Sequence, residues 1–244
     1  MKNKTIWFSM GLAALVAMQG ARAELSADTK QEIEQLIGDY LRQNPQVVID
    51  AIQAWRQQQE AAEAARIEAA IEELRQAVAQ GDAPSWGNPK GKTVVIEFSD
   101  YNCPYCKRVF PEVAKLVDED GDIRIVMKEL PVLGPASEYA AKAALAAHKQ
   151  GKYEAFHHQM MRSGSRVSRQ AVDRAAKAAG LDMERLKKEM ESPEVAAELA
   201  HNQLWAERLG ISGTPAFVIG NEVIPGAIDA RTMKRLVEQA RQSD

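Results

Sequence analysis

The chain has 244 residues, 45% hydrophobic and 27% charged, which is ordinary globular composition and enough length for one or two domains with a sizeable core. Its 31 basic and 34 acidic residues leave a net charge of −3, which argues against general nucleic-acid binding. Cys103 and Cys106 are the only two cysteines, so no structural disulfide framework can be built from the remainder of the chain.

Lys2 and Lys4 precede an apolar stretch from Ile6 to Met18, and Ala21-Arg22-Ala23 follows. This is the pattern of a secretory signal peptide cleaved after Ala23. The alternative is a membrane anchor, but an apolar core of roughly 13 residues is short against a span of about 20. Removing residues 1–23 takes away three basic residues and leaves 28 basic and 34 acidic, a net charge of −6. The expected location is the periplasm, an oxidising compartment where a lone cysteine pair serves chemistry more readily than stapling.

Ser26 and Asp28 are candidate N-caps for a helix carrying Ile33, Leu36, Ile37, Tyr40 and Leu41 at helical spacing. Asn44-Pro45 interrupts it and opens a second helix. The apolar positions Val48, Ile52 and Trp55 then run into Gln59, Ala62 and Arg66, and the stripe shifts phase to Ile67, Ile71, Leu74 and Val78. A helix over about residues 46–79 extends roughly 50 Å and needs a partner. The 4-3-4 spacing of the last four positions fits a short coiled-coil seam, the alternatives being an arm packed on its own catalytic domain or a solvated linker. Residues 24–80 are therefore expected to be a helical oligomerisation arm, forming a dimer or trimer. Residues 85–244 are expected to fold without it.

From Thr93 the pattern becomes strand, helix, strand: Thr93–Phe98, the C-x-x-C segment, then Asp122–Lys128. Residues 137–209 are almost wholly helical in pattern. Thr214-Pro215-Ala216-Phe217-Val218-Ile219, a turn at Gly220-Asn221, a strand through Val223-Ile224 and a helix over about 229–241 complete the sheet. The fold class is α/β, with a helical insertion and an all-helical amino-terminal arm.

Cys103 begins a helix, where amide groups and the helix dipole favour a thiolate, and Cys106 lies one turn further in. This spacing lets the two sulfurs meet, so a mixed disulfide formed at Cys103 can be released by attack from Cys106. Half of a zinc site is the alternative, but tetrahedral zinc needs further ligands, and no second cysteine pair exists. Neither a metal nor a cofactor is expected. His157 and His158 with Met160 and Met161 suggest copper, or more plainly a helix with mixed faces.

The signal sequence, Glu97-Phe98-Ser99-Asp100-Tyr101-Asn102-Cys103-Pro104-Tyr105-Cys106-Lys107, the helical insertion and Gly213-Thr214-Pro215-Ala216-Phe217-Val218-Ile219-Gly220 together resemble the DsbA-like thioredoxin superfamily over about residues 85–244. The helices before that core resemble the arms of the suppressor-of-copper-sensitivity C (ScsC) and DsbC groups. The resemblance implies a cis Pro215 facing the cysteines and a Thr214 backbone free to bond an extended substrate. Sequence alone favours an ordinary trans turn there. It also implies that Glu97 is a buried acid that relays the proton of Cys106, against the alternative of an exposed glutamate at a strand end. Lys128 is a candidate neighbour of Glu97 from the adjacent strand, or equally a solvated lysine at the strand end. Thr214 and Tyr105 resemble isomerase residues, whereas Pro104 resembles the oxidase.

The leading expectation is a periplasmic disulfide isomerase or reductase acting on misoxidised exported proteins and served by a membrane redox partner. A DsbA-like oxidase and a Cu(I)-binding module using both thiolates are the alternatives.

Overall fold

The computed structural model describes residues 26–164 and 166–243. The expected signal peptide and its cleavage after Ala23 lie outside the described residues. The chain divides into two compact units, one up to Gln58 and one from Gln59 onward.

In the first unit, the Ser26 hydroxyl accepts the Thr29 amide and caps helix α1, Ala27–Gln43. Asn44 ends it, and Pro45 occupies the first position of helix α2, Pro45–Gln80, where its missing N–H costs nothing. This unit buries almost none of its apolar stripe: ten of the fourteen large exposed apolar side chains among the described residues lie in it, including Leu36 at 69% and Trp55 at 60% exposure.

The second unit is built on five strands: β1 Ser85–Gly87, β2 Thr93–Ser99, β3 Ile123–Glu129, β4 Ala216–Ile219 and β5 Glu222–Pro225. Their order is β1-β3-β2-β4-β5, with β2 and β3 parallel and the other pairs antiparallel. Helix α3, Pro104–Glu119, joins the parallel pair, as the strand–helix–strand pattern predicts. The insertion consists of α4 Pro135–Lys149, α5 Tyr153–Arg162, α6 Arg169–Ala178, α7 Met183–Met190 and α8 Pro193–Arg208, and α9, Ala230–Ser243, closes the unit. Ser168, Asp182 and Ser192 cap α6, α7 and α8 through side-chain oxygens that accept first-turn amides. At the β4–β5 turn, Gly220 has φ +57°, and an added Cβ would lie 2.8 Å from Cβ of Ala240, so the turn needs glycine on two counts.

Alternation along the sheet separates two cores. Val95, Ile125, Met127, Phe217 and Ile219 face the α3 side, while Ile96, Phe98, Val126, Ala216 and Val218 face the other. The second face is covered by Ala70, Ile71, Leu74 and Val78 of α2 and by Ala206 and Leu209. This corrects the expectation of a coiled-coil seam at Ile67, Ile71, Leu74 and Val78. The stripe packs on the sheet of its own unit, with Leu74 at 0% and Ile71 at 1% exposure, because that face would otherwise be wet. Strand β1 was not expected either: its three residues are too few to show a period, and it forms by antiparallel pairing with β3 from Trp86 to Ile125.

Candidate active site

The site lies where β2 ends and α3 begins. Asp100 shapes the connection: its Oδ1 accepts the Asn102 amide at 2.7 Å, its Oδ2 accepts the Leu133 amide at 3.0 Å, and its carbonyl accepts the Cys103 amide at 3.0 Å. Cys103 is thereby the N-cap of α3, with Pro104 in the first turn.

Both cysteines are free thiols and buried. The Cys103 thiol is lowered to about 5, first by a hydrogen bond from Cys106, then by the Cys106 and Tyr105 amides and the Thr214 side chain, with burial opposing. In the protonated form Sγ of Cys103 donates to the Thr214 carbonyl at 3.3 Å. The Cys106 thiol is driven far up, by burial first, then by donating to Cys103 and by the nearby Glu97 charge. One sulfur is poised as an anion and the other holds its proton. Alkylation with iodoacetamide should therefore modify Cys103 first, with a rate that climbs as its thiolate forms and levels off well below the pH of about 8.5 typical of a free thiol. Peptide mass mapping against pH checks this, and equal rates at the two thiols would reverse the assignment.

Glu97 is buried at 2% exposure on the sheet face beneath α3, and burial raises its carboxyl to about 7, opposed by the Ser99 hydroxyl. It is not an exposed strand-end glutamate. Lys128 does not approach it: in the parallel register Glu97 pairs with Met127 and Phe98 with Lys128, so Lys128 points to the opposite face. There its Nζ donates to Oε1 of Glu198 at 3.1 Å. The Thr214–Pro215 bond is cis, and the Thr214 carbonyl meets Cys103. Tyr105 is 55% exposed beside the cysteines, with the Arg108 guanidinium 5.1 Å from its ring centre.

Four further residues join this centre without having been singled out for it. Tyr101 and Tyr153 donate their hydroxyls to Oε1 of Glu129 at 3.0 and 2.6 Å, and Nδ1 of His157 lies 3.0 Å from the Tyr101 hydroxyl. His157 stacks on Tyr153, with ring centres 5.5 Å apart, and burial lowers it to about 3, so it is neutral. The histidine that suggested copper is a core residue. Among the described residues no group of three histidine, cysteine or acidic side chains is placed to hold a metal. The period-two alternation Ile125, Met127, Glu129 could have placed Glu129 on the Glu97 face; nothing in the sequence linked it to residues 101, 153 and 157.

A polarised dithiol at a helix N-terminus, on a thioredoxin-like sheet with a helical insertion, defines a thiol–disulfide oxidoreductase. The model of the DSBA-like thioredoxin domain matches residues 94–238, and that of the copper resistance protein ScsC N-terminal domain matches residues 30–62. The chain belongs to the DsbA-like thioredoxin family and carries an ScsC-like amino-terminal domain. It is similar to a thioredoxin-like oxidoreductase from Silicibacter pomeroyi DSS-3, at 45% identity over 67% of this chain and 95% of that one, with a TM-score of 0.65. A linker-deleted mutant of Proteus mirabilis ScsC matches at 28% identity over 92% of this chain and 100% of that one, with a TM-score of 0.68. A periplasmic thioredoxin-like protein from Salmonella enterica serovar Typhimurium matches at 29% identity over 68% and 95%, with a TM-score of 0.62. Curated relatives include the Na(+)/H(+) antiporter NhaA 3 of Salinispora tropica, 26% identical over 156 residues, which are 63% of this chain and only 24% of the antiporter's length.

Proposed function

We propose that this oxidoreductase is a periplasmic disulfide isomerase or reductase acting on exported proteins with wrong disulfides. The observation that carries the reading is the pairing of one polarised dithiol per chain with a separate helical unit whose apolar stripe is left exposed. A stripe of this size is not left wet in a stable assembly, and the ScsC-like match over residues 30–62 supports its burial between copies. The arm, expected at residues 24–80, then joins two or three chains through the part up to Gln58. Several dithiols held around one substrate raise the local thiol concentration, which reshuffling needs and single-step oxidation does not.

In the reaction the Cys103 thiolate attacks a substrate disulfide, forming a mixed disulfide and releasing one substrate thiolate. Cys106 then gives its proton to Glu97 and attacks Cys103, so the substrate leaves reduced and the pair oxidised, or the substrate's own free thiol attacks first and leaves it reshuffled. Thr214, Pro215 and Tyr105 hold the substrate segment beside Cys103: the Thr214 backbone offers hydrogen bonds to an extended chain, and the exposed Tyr105 ring offers an apolar face. A membrane partner reduces the pair after turnover. The residues 1–23 pattern and the periplasmic Salmonella relative support export with cleavage after Ala23.

Comparing residues 24–244 with residues 59–244 tests the reading. The longer protein should scatter light as an oligomer and reactivate scrambled ribonuclease; the shorter should be monomeric, keep dithiol reductase activity and lose most reshuffling. A monomeric longer protein, or equal reshuffling by both, would favour a DsbA-like oxidase instead.

A further inference from the structure

Glu129 is a second buried acid in the same polar patch as Glu97. The register pairs Glu97 with Met127 and Ser99 with Glu129, and alternation puts Glu97, Ser99 and Glu129 on one sheet face, a single diagonal step apart. All three are at most 2% exposed, and Cys106, at 0%, lies close enough to Ser99 and Glu97 to feel both. Two carboxyl groups in one dry patch resist holding two charges, since each anion opposes the other in low dielectric.

The surroundings of Glu129 are directed. Its Oε1 accepts from Tyr101 and Tyr153; with the Tyr101 proton on Glu129, the Nδ1–H tautomer of His157 donates in turn to the Tyr101 oxygen, which also lies 3.5 Å from the Tyr153 hydroxyl. This chain of donors from α5 and the active-site loop favours an anion on Glu129. Against it stand burial and the Asp100 and Glu97 charges, which together raise its carboxyl to about 8. From α8, Asn202 donates only to the Glu129 backbone carbonyl, at 3.2 Å. Lys128 supplies no counter-charge here because it faces Glu198 on the other side of the sheet. No cation offsets the pair among these neighbours.

We propose that Glu129 is a positioning residue for the release step: it shares one negative charge with Glu97, and its tyrosine–histidine clamp thereby sets the pH at which Glu97 can take the proton of Cys106. This rests on the reading of Glu97 as that proton's acceptor. When Glu129 carries the charge, Glu97 stays protonated and Cys106 cannot be relieved of its proton; when Glu129 is neutral, Glu97 is free to act.

The test uses the reduced full-length protein and the chromogenic disulfide dithiobis-nitrobenzoate. Cys103 attack releases one thionitrobenzoate; Cys106 attack on the resulting mixed disulfide releases the second, and the pair ends oxidised. The second phase is followed between about pH 5 and pH 9. In the natural protein it should rise over a span broader than one ionisation, because two acids are coupled. Glu129→Gln keeps an acceptor for both tyrosines and removes the charge, so the rise should narrow to one ionisation and move to lower pH. On the acid side release should become about three- to tenfold faster, the effect of a shift of roughly half to one unit. Tyr153→Phe removes a donor from Glu129 and should move the profile the same way, which a merely loosened core would not do. Glu97→Gln should abolish the rise. If it does not, the Glu97 reading fails and this inference with it. If Glu97→Gln abolishes the rise but Glu129→Gln superposes on the natural profile, this inference alone is overturned.

Discussion

Cys103→Ser should bring thiol–disulfide exchange down by about three orders of magnitude or more, to the level of free reductant, while Cys106→Ser should keep the first attack and accumulate covalent adducts. The asymmetry follows from the geometry. A serine hydroxyl at the start of α3 cannot form the mixed disulfide, and Cys106 cannot substitute for Cys103, being fully buried with its proton held by burial and the Glu97 charge. In Cys106→Ser the outer sulfur still has the Tyr105 and residue-106 amides and Thr214, and the serine O–H takes over from the S–H as its side-chain donor. Attack should therefore persist with nearly the natural pH dependence. Release loses an intramolecular thiol of very high effective concentration, so the adduct should last about a thousandfold longer or more. Insulin reduction by turbidity measures the first effect, and mass spectrometry of trapped peptide adducts the second. Adducts forming on Cys106 of Cys103→Ser would overturn the order of the two sulfurs.

The placement of the site's parts is legible in the sequence where chemistry is local. Two cysteines three residues apart, after an apolar strand and with Pro104 opening a helix, specify the N-terminal thiolate without any tertiary information. The burial of Glu97 rests on the resemblance, since periodicity decides little where its neighbours Val95 and Ser99 differ in character; the covering helix α3 buries it. Lys128 was misplaced because pairing register is not visible in one strand, and a one-residue difference sends a side chain to the opposite face. The clamp on Glu129 was illegible for a different reason. Residues 101, 129, 153 and 157 come from a loop, a strand and a helix of the insertion, and only packing brings them together.

The fold followed the same division. Apart from β1, the order of strands and helices, the turn at Gly220-Asn221 and the extent of the insertion were signalled by turn residues and changes of period. The phase shift of the apolar stripe in α2 was also visible, and its meaning was not. The first stripe fades at Gln59, where the compact units divide, and the second begins at Ile67, on the part of the helix that packs on the sheet. A seam for a partner chain and a seam for one's own sheet have the same helical spacing.

That shift leads to the second large effect. A chain beginning at Gln59 should fold cooperatively, whereas one beginning at Gly81 should not reach the native state or should melt far lower, contrary to the expectation that residues 85–244 suffice. Residues 59–80 contribute Ala70, Ile71, Leu74 and Val78 to the second core, all at most 3% exposed. Burying one Val, Leu or Ile side chain contributes about 1.5–3 kcal/mol, so the three large ones contribute about 5–9 kcal/mol, comparable to the 5–15 kcal/mol that stabilises a typical domain. Ordering these residues has its own entropic cost, recovered in the shorter chain, but the shorter chain also exposes Ile96, Phe98, Val126 and Val218 to water. Those four stand on neighbouring strands and would form a continuous apolar patch, an invitation to aggregate. The single substitution Leu74→Ala separates packing from length: with a side chain at 0% exposure it should cost about 3–5 kcal/mol, which lowers the melting temperature by about 6–20 °C in a domain of this size. Calorimetry on the Gln59 chain, the Gly81 chain and Leu74→Ala in the Gln59 chain gives the comparison. Equal melting of the first two would return residues 59–80 to the arm and leave the sheet face to be covered by something else.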